Sequence, residues 1–241
     1  MQVVIPSRKR VDECRGALEL FSDAIVTVAE SEMDDYAVLG LGDRLIPHPD
    51  SVAGIGPIRQ WVLDNIEEET IVMADDDVFQ LRISAGRMRK ASVTRDPNVV
   101  AQVLENAEMM ARGFGTPIFG FDQGSGDVRK FHPHDPIKLN SWTGGIIGII
   151  GRDLRYDTSL LLRADIDFCL KAILKYRVVC IDTRFAFVHK RFKNKGGNDH
   201  VRSSDRNRLE IERLKDRWGK WLALTDAKTT LRLNCKVPRR Q

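Results

Sequence analysis

The first 77 residues alternate between short apolar runs and longer segments whose apolar positions recur at helical spacing. Short apolar runs bounded by polar residues are typical of buried strands, and apolar residues three and four apart are typical of amphipathic helices. The pattern predicts strands at 2–6, 23–30, 36–41 and 70–77, and helices at 7–21 and 54–68. The order strand, helix, strand, strand, helix, strand favours an α/β fold with a mainly parallel sheet and helices on both faces.

The rest of the chain continues this alternation. Asp96 and Pro97 are residue types that begin helices, which predicts a helix at 96–112. An apolar, glycine-rich segment follows at 137–152. Further helices are predicted at 162–176 and 206–222, and further strands at 117–122 and 177–190. No repeat, linker or low-complexity tract interrupts the pattern, so one domain is predicted over 1–241.

Three consecutive acids, Asp75, Asp76 and Asp77, close the predicted strand at 70–77. Ligands of open α/β sheets bind at the carboxyl ends of the strands, where these acids are expected to lie. A charge is costly to bury unless it is paired or bound to a metal, and Mg²⁺ and Mn²⁺ prefer carboxylate oxygens. A divalent metal site is therefore predicted here. The alternative is an acidic turn or helix start, where aspartate is common.

Two further acids and a histidine are candidates for the same site. Asp165 and Asp167 lie at the start of the predicted helix at 162–176, where one of them can act as a general base on an acceptor hydroxyl. The alternative is that both only stabilise the helix dipole. His189 ends the apolar run "RFAFVHK", and a neutral imidazole can complete a metal shell begun by carboxylates. The alternative is a structural histidine.

Other segments have residues suited to binding a ligand. The first predicted strand ends in a proline turn with three cations, which suits a nucleotide base and its phosphates or else is a solvated turn. Two glycines beside a tryptophan in "SWTGGIIG" let a backbone approach a ligand closely, or else mark a packed strand. The candidate binding residues are Pro6, Ser7, Arg8, Arg10, Glu30, Trp142, Gly144 and Gly145.

Charge is distributed unevenly although the formal net charge is only +4. Residues 184–241 hold 17 Lys and Arg against 6 Asp and Glu, a net of +11, whereas the preceding 183 residues hold 21 against 28, a net of −7. A basic carboxyl-terminal quarter suggests contact with a polyanion or a phosphorylated ligand. Part of the excess has a simpler explanation, because Glu210, Glu212 and Asp216 interleave with the cations of 205–221 and indicate a solvated helix surface.

Membrane and secretory features are not apparent. The longest apolar run, "GGIIGIIG", is too short to span a bilayer, and the chain begins on a strand-like segment without a signal-peptide pattern. The four cysteines form no CxxC pair and are expected to be free thiols in a reducing compartment. A cytoplasmic protein without membrane contact is expected.

Taken in order along the chain, these motifs resemble those of nucleotide-sugar glycosyltransferases of the GT-A fold. The resemblance covers roughly residues 2–190, through "VVIPSRKR", "GIGPIRQWVLDN", "MADDDV", "SWTGGIIG", "ADIDFCLKA" and "FVHK". It implies a single Rossmann-like domain with a nucleotide-sugar-binding half at 1–95, an acceptor half at 96–190, and a basic loop and C-terminal helix at 191–241. It also implies a UDP-sugar donor and Mn²⁺ or Mg²⁺ as cofactor.

The resemblance also implies roles for single residues of the metal motif. Asp75 and Asp77 match the outer acids of the DxD motif, with Asp77 the preferred direct ligand, and His189 matches the late metal-binding histidine. Asp76 would face the sugar or ribose. Arg59 belongs to the Gly/Arg segment that precedes the metal motif and is expected to bind the nucleotide-sugar.

Asp165 matches the family's catalytic carboxylate and is the preferred base. Relatives often carry a second acid where this chain has Ala164, so the identity of the base stays open and Asp167 is the alternative. The assignment holds for a reaction that inverts the anomeric centre. For a reaction that retains configuration, the carboxylate plays another role.

A narrower resemblance is to the TET-associated glycosyltransferases of phages and related elements, through "DDDV", "DIDF", "FVHK", "KGGN" and "RLEIERLKDRWGKW". It implies sugar transfer to hydroxymethylated pyrimidines in DNA, with 5-hydroxymethylcytosine favoured, in the host cytoplasm if the chain is phage-encoded. Phosphate contacts by Lys and Arg drive DNA affinity. The candidate DNA contacts are Lys190, Arg191, Lys193, Lys195 and Arg202.

Three alternatives stay open from the sequence. The acceptor is instead a hydroxyl of a glycan, lipid or protein. A nucleotidyltransferase also uses a metal and an α/β sheet, but "IPSRKR" lacks the glycine-rich phosphate loop expected after its first strand. A basic nucleic-acid-binding module without catalysis is the non-enzymatic alternative. The oligomeric state is not predicted.

Overall fold

The computed structural model describes residues 1–84, 92–122, 134–190, 203–224 and 231–233. Ten strands form one central sheet, and two short strands form a second. The strands are β1 (Gln2–Pro6), β2 (Ile25–Ala29), β3 (Leu45–His48), β4 (Thr70–Ala74), β5 (Val78–Ile83), β6 (Ser92–Thr94), β7 (Ile118–Asp122), β8 (Ile137–Lys138), β9 (Ile146–Ile150), β10 (Cys180–His189), β11 (Leu222–Leu224) and β12 (Leu231–Leu233). The α-helices are α1 (Val11–Leu18), α2 (Met33–Ala37), α3 (Ile55–Asn65), α4 (Pro97–Phe114), α5 (Ala164–Tyr176) and α6 (Ser204–Trp218).

The central sheet has the order β3-β2-β1-β4-β9-β7-β10-β5-β6, and β8 pairs with β10. The pairs β2–β3, β1–β2 and β1–β4 are parallel, as is β7–β10. The predicted α/β fold with helices around a central sheet is confirmed. The expectation of a mainly parallel sheet needs correction, because the other pairs of the sheet are antiparallel. Parallel neighbours need a crossover, usually a helix: α1, α2 and α3 lie in the crossovers of the first half, and α5 lies in the connection between β7 and β10.

One predicted strand, at 36–41, is wrong. This segment forms the end of α2 and a turn, and the third strand begins only at Leu45. Gly40 and Gly42 have positive φ angles of 64° and 56°, which a continuous strand does not accommodate. Val38 is 66% exposed, so the apolar run is not buried as a strand would be.

Helices cover both faces of the sheet with separate apolar clusters. One cluster joins the sheet to α3, α5 and α6, and includes Val62, Phe168 and Leu214. The other joins it to α1, α2 and α4, and includes Cys14 and Tyr36. The helices that carry Arg59 and Asp165 are therefore neighbours on the same face.

Three of the four cysteines lie in the described part of the chain. Cys14, Cys169 and Cys180 are buried and free of disulfides, while Cys235 lies outside the described part. None of the described helices has the length and apolar character needed to cross a membrane.

Candidate active site

The three consecutive acids form a tight turn between β4 and β5, where β9 begins and β10 ends. The Asp75 N–H donates to the Gly145 carbonyl at 2.9 Å, and the Lys190 N–H donates to the Asp77 carbonyl at 3.0 Å. These bonds tie the turn to the residue before β9 and to the residue after β10. The sheet therefore fixes the backbone from which the three carboxylates project.

Asp75, Asp77 and His189 form a group suited to a divalent cation. One ligand atom from each residue lies within 4.8 Å of the others. His189 Nδ1 is 2.9 Å from Asp77 Oδ1 and 3.7 Å from Asp75 Oδ2. The Asp75 side chain is 46% exposed, whereas His189 is 6% exposed. Two carboxylates and an imidazole with an open side fit Mn²⁺ or Mg²⁺ with room for further oxygen ligands.

The two predicted glycines lie beside this metal-ligand group. A Cβ at Gly145 would lie 2.5 Å from His189 Nε2, so any side chain there would displace the imidazole. The Gly144 carbonyl accepts a hydrogen bond from Arg59 Nη2 at 2.5 Å. Trp142 is partly buried and packs against the apolar cluster that includes α5. In the segment 142–145, the two glycines thus present their backbone to the metal-ligand group, while Trp142 packs against the apolar cluster.

Arg59 connects the metal-ligand group to the predicted base. Its buried guanidinium forms an ion pair with Asp165 through Nη1 and lies 3.4 Å from Asp75 Oδ1 through Nη2. The close approach of α3 to the segment before α5 depends on Gly56, since a Cβ there would lie 2.5 Å from the Asp157 carbonyl oxygen. The sequence order "GIGPIR" therefore places one cation between two acids that are 90 residues apart.

Asp165 is the second residue of α5 and is 8% exposed. Burial disfavours its charged form and raises its pKa to about 6, an effect that the Arg59 charge opposes and the Asp75 charge adds to. A carboxylate with a pKa near 6 is charged at neutral pH and more basic than an ordinary aspartate. These are properties of a general base.

Asp167 lies in a different network, although it is only two residues further along α5. Its fully buried carboxylate accepts hydrogen bonds from Arg217 Nη1 at 2.8 Å and Trp218 Nε1 at 2.9 Å. Lys171 Nζ lies 2.7 Å from its other oxygen. Residues two apart on a helix do not share a face, so the structure separates the two predicted acids.

Asp76 points toward the end of β1 rather than toward Asp75 and Asp77. Ser7 Oγ donates to Asp76 Oδ2 at 2.7 Å, and Arg10 Nη1 lies 3.2 Å from Oδ1. Burial raises the pKa of Asp76 to about 6, while Ser7 and Arg10 act in the opposite direction. The middle acid of the turn therefore contacts the residues predicted to bind the nucleotide.

Two members of this second network, Tyr36 and Glu32, are absent from the predicted set. The Tyr36 hydroxyl lies 2.7 Å from Ser7 Oγ and accepts from the Arg10 N–H at 2.9 Å. Glu32 accepts from the Lys9 N–H at 2.7 Å and lies 3.6 Å from Arg8 Nε. Tyr36 was missed because the segment 36–41 was predicted to be a strand, whereas Tyr36 belongs to α2. Glu32 was missed because nothing in the sequence distinguishes it from its acidic neighbours.

The remaining predicted residues are less informative. Pro6 is the last residue of β1, and Glu30 is exposed in a 3₁₀ turn after β2. Lys190 is exposed, and its Nζ lies 5.9 Å from the centre of the Phe79 ring. The other predicted DNA contacts lie outside the described residues: Arg191, Lys193, Lys195 and Arg202.

The chain was matched to known proteins by sequence and by fold. The profile of the family described as TET-Associated Glycosyltransferase matches residues 1–197. No curated protein sequence matches the chain. Staphylococcus aureus TarS 1–349 in complex with UDP-GlcNAc is similar, with a TM-score of 0.51 and 12% identity over 90% of this chain and 67% of TarS 1–349.

Glucosyl-3-phosphoglycerate synthase from Mycobacterium tuberculosis, in complex with Mg²⁺ and UDP, has a TM-score of 0.53 and 14% identity over 96% of this chain and 86% of its own. The chain spans 60% of the length of another TarS 1–349 structure and 44% of the length of a longer TarS structure. At these identities the likeness shows the fold alone. The predicted GT-A type of α/β fold is thereby confirmed.

Proposed function

The chain belongs to the TET-associated glycosyltransferase family, and from this premise we propose that it transfers a sugar from a UDP-sugar to 5-hydroxymethylcytosine in DNA. The observation that carries the proposal is the geometry of the site. Asp75, Asp77 and His189 converge at the carboxyl end of β4, and Arg59 joins them to a buried Asp165. A metal-ligand group next to a base is what transfer from a nucleoside diphosphate requires.

The residues present fit a divalent cation. Asp77 and His189 are in direct contact and largely buried, whereas Asp75 is the exposed member. This asymmetry supports Asp77 and His189 as the fixed ligands and Asp75 as the ligand that faces the incoming donor. Mn²⁺ or Mg²⁺ bound here would supply positive charge to the diphosphate leaving group.

The UDP-sugar donor is proposed from the fold and from the nucleotide end of the site. The fold relatives named above were solved with UDP-GlcNAc and with UDP. In this chain Ser7, Arg10 and Asp76 form one network at the end of β1, next to the acid turn. Ligands of such sheets bind at this edge. We assign this network, with Arg8, to the nucleoside part of the donor.

Asp165 is the proposed base if the reaction inverts the anomeric centre. The acceptor oxygen forms a bond to the anomeric carbon, the bond from that carbon to the UDP oxygen breaks, and the acceptor proton goes to Asp165. Asp165 is preferred to Asp167 because Arg59 links it to Asp75, while the Asp167 carboxylate contacts Arg217 and Trp218. Arg59 holds the base beside the metal-ligand group and keeps its carboxylate charged.

The DNA acceptor is supported by family membership and by charge. Residues 184–241 have a net charge of +11, which suits a phosphate backbone. The hydroxymethyl group on C5 of cytosine projects into the major groove, whereas Asp165 is buried, so the base is proposed to flip out of the stack to bring this group to Asp165. Lys190, next to His189 at the end of β10, is the described basic residue nearest in sequence to the metal-ligand group and is proposed to contact the backbone.

The test is a donor screen on synthetic duplexes that differ in one base. UDP-glucose, UDP-GlcNAc and UDP-galactose are incubated with the protein, Mn²⁺, and DNA containing either 5-hydroxymethylcytosine or cytosine, and the nucleosides are analysed by mass spectrometry. We expect one hexose or N-acetylhexosamine added to 5-hydroxymethylcytosine, none to cytosine, and none with excess chelator.

Two outcomes separate the parts of the proposal. Metal-dependent hydrolysis of a UDP-sugar without transfer to either DNA supports the donor and contradicts the DNA acceptor. A gel shift at low salt then decides whether the chain has any affinity for duplex DNA. If no donor is hydrolysed and no donor is used for transfer, the proposed function is contradicted.

A further inference from the structure

The C-terminal helix α6 carries a fully buried carboxylate. Glu210 is 0% exposed, although the surrounding sequence "RLEIERLKDRW" is strongly charged. Its Oε1 accepts a hydrogen bond from the Leu161 N–H at 2.9 Å, and its Oε2 accepts from the Leu162 and Arg163 N–H groups at 3.0 and 3.1 Å. The family profile ends at residue 197, so α6 lies beyond the matched region.

The three N–H donors explain why this charge is buried. A carboxylate removed from water needs compensating hydrogen bonds, and three backbone donors satisfy most of its acceptor capacity. Arg163 is the N-cap residue of α5 and has no side-chain oxygen to cap the helix. Glu210 accepts from the N–H of this N-cap residue and from the two N–H groups before it, and its negative charge is favourable at the positive end of α5.

The segment held by Glu210 leads directly into the active site. Asp165 follows Arg163 by two residues. On its other side the same segment is bound to α3, because the Leu161 and Leu160 carbonyls accept from the Ile55 and Gly56 N–H groups at 2.7 and 3.1 Å. The 160–163 segment is therefore clamped between α6 and the helix that carries Arg59.

Other α6 side chains strengthen the same attachment. Asn207 Oδ1 accepts two hydrogen bonds from the Arg163 guanidinium, at 2.9 and 2.7 Å. Arg217 bridges Asp157 Oδ2 at 2.6 Å and Asp167 Oδ1 at 2.8 Å. These contacts hold both sides of the 160–163 segment, and Glu210 is the member that binds its backbone.

We propose that Glu210 is a positioning residue for sugar transfer, which sets the start of α5 and with it the place of the Asp165 carboxylate against Arg59. The inference rests on the proposed function in that Asp165 is the base. A displacement of a base by about 1 Å is enough to lower a rate by roughly 100-fold. The hydrogen bonds described for Glu210 go to residues 161–163 and not to β1 or the acid turn, so donor binding should not depend on it.

The test compares Glu210→Gln with Glu212→Gln, which makes the same chemical change at an exposed position of the same helix. We expect E210Q to lower kcat by about 10- to 100-fold, with the donor KM and the calorimetric Kd for UDP and Mn²⁺ within about two-fold of wild type. We also expect faster amide exchange at residues 161–168, with exchange in β1 and β4 unchanged. E212Q should match wild type in every measurement.

The readouts distinguish a failed inference from a failed function. Wild-type protein without transfer activity contradicts the proposed function, whereas unchanged exchange at 161–168 in E210Q contradicts the inference whatever the activity. A parallel loss of kcat and of UDP binding in E210Q also overturns it, because a general structural defect would do that. If E210Q has no cooperative thermal transition, Glu210→Asp replaces it, since this variant keeps the charge and shortens the side chain by one methylene.

Discussion

In both the acid turn at 75–77 and the start of α5, neighbouring acids contact different networks. The two regions differ in the exposure of their acids. In the turn, Asp75 and Asp77 approach His189 while Asp76 contacts Ser7 and Arg10. In α5, Asp165 pairs with Arg59 while Asp167 contacts Arg217 and Trp218.

The two regions differ in exposure at Asp75, because Asp77 and Asp76 are only 15% and 5% exposed. Asp75 is 46% exposed, whereas the Asp165 and Asp167 side chains are 11% and 0% exposed. An open acid group can accept a metal and a diphosphate from solution. A closed one can fix the position of a base and adjust its pKa, and Arg59 is the contact through which the two regions act together.

The largest expected effect is in the open region. Asp77→Ala removes a proposed metal ligand and the nearer of the two carboxylates beside His189. We expect metal-dependent transfer to fall by about 1,000-fold or more, because the charge that stabilises the leaving diphosphate is lost. Steady-state assays over a Mn²⁺ series measure this. The control is Asp34→Ala on the exposed side of α2, which should behave as wild type.

In the closed region, the two acids should respond differently to the same substitution. Asp165→Asn should lower kcat by about 100- to 1,000-fold with donor binding retained, because a general base is lost. Asp167→Asn should instead lower the free energy of unfolding by roughly 1–3 kcal/mol, because Arg217, Trp218 and Lys171 lose a buried, charged acceptor. Kinetics and denaturant titration on both variants check this contrast. An Asp167→Asn variant with native stability and no turnover would reverse the assignment.

A smaller effect is expected at the glycine beside the metal-ligand group. A Cβ at Gly145 would contact the His189 imidazole and force it to move. Gly145→Ala should weaken Mn²⁺ affinity by about 10- to 100-fold, as disturbing the orientation of a ligand generally does. Titration of Mn²⁺ in the presence of UDP measures the affinity. Gly113→Ala, where a Cβ would meet nothing within 4 Å, is the matched control.

The pH dependence of kcat gives the smallest effect and sharpens the assignment of the base. Burial raises the pKa of Asp165 to about 6. A base acts only when deprotonated, so kcat should rise with pH through about 6 and fall roughly ten-fold per pH unit below it. The Arg59 charge lowers the pKa of Asp165, so Arg59→Gln should move the profile to higher pH. A wild-type profile that is flat between pH 5 and 8 would contradict this role.

Much of the fold follows from local patterns. The apolar runs predicted β1, β2 and β4, and the capping residues Asp96 and Pro97 predicted α4. The predicted strand at 36–41 is wrong because Gly40, with a positive φ angle, interrupts its apolar residues and Gly42 follows with another. The strands β5 and β6 were not predicted, because three acids after an apolar run indicate the end of a strand rather than a turn into the next strand.

The sequence predicted which residue types form the site, but not which neighbours each side chain contacts. The sequence places acids at strand and helix ends, but which acid faces which network depends on the turn geometry and on partners distant in the chain. Glu210 is the clearest case. It was expected on a solvated helix surface, but its donors at 161–163 come from 47 to 49 residues earlier in the chain. No local pattern encodes such a contact.

The central claim is that Asp75, Asp77 and His189 hold a divalent metal next to the donor diphosphate. A crystal structure with UDP and Mn²⁺, recorded at a wavelength where manganese scatters anomalously, tests it most directly. The account predicts one strong anomalous peak within coordination distance of Asp77, His189 and a UDP phosphate oxygen. UDP bound at the end of β1 with no anomalous peak near these three residues, or with manganese bound elsewhere, would contradict it.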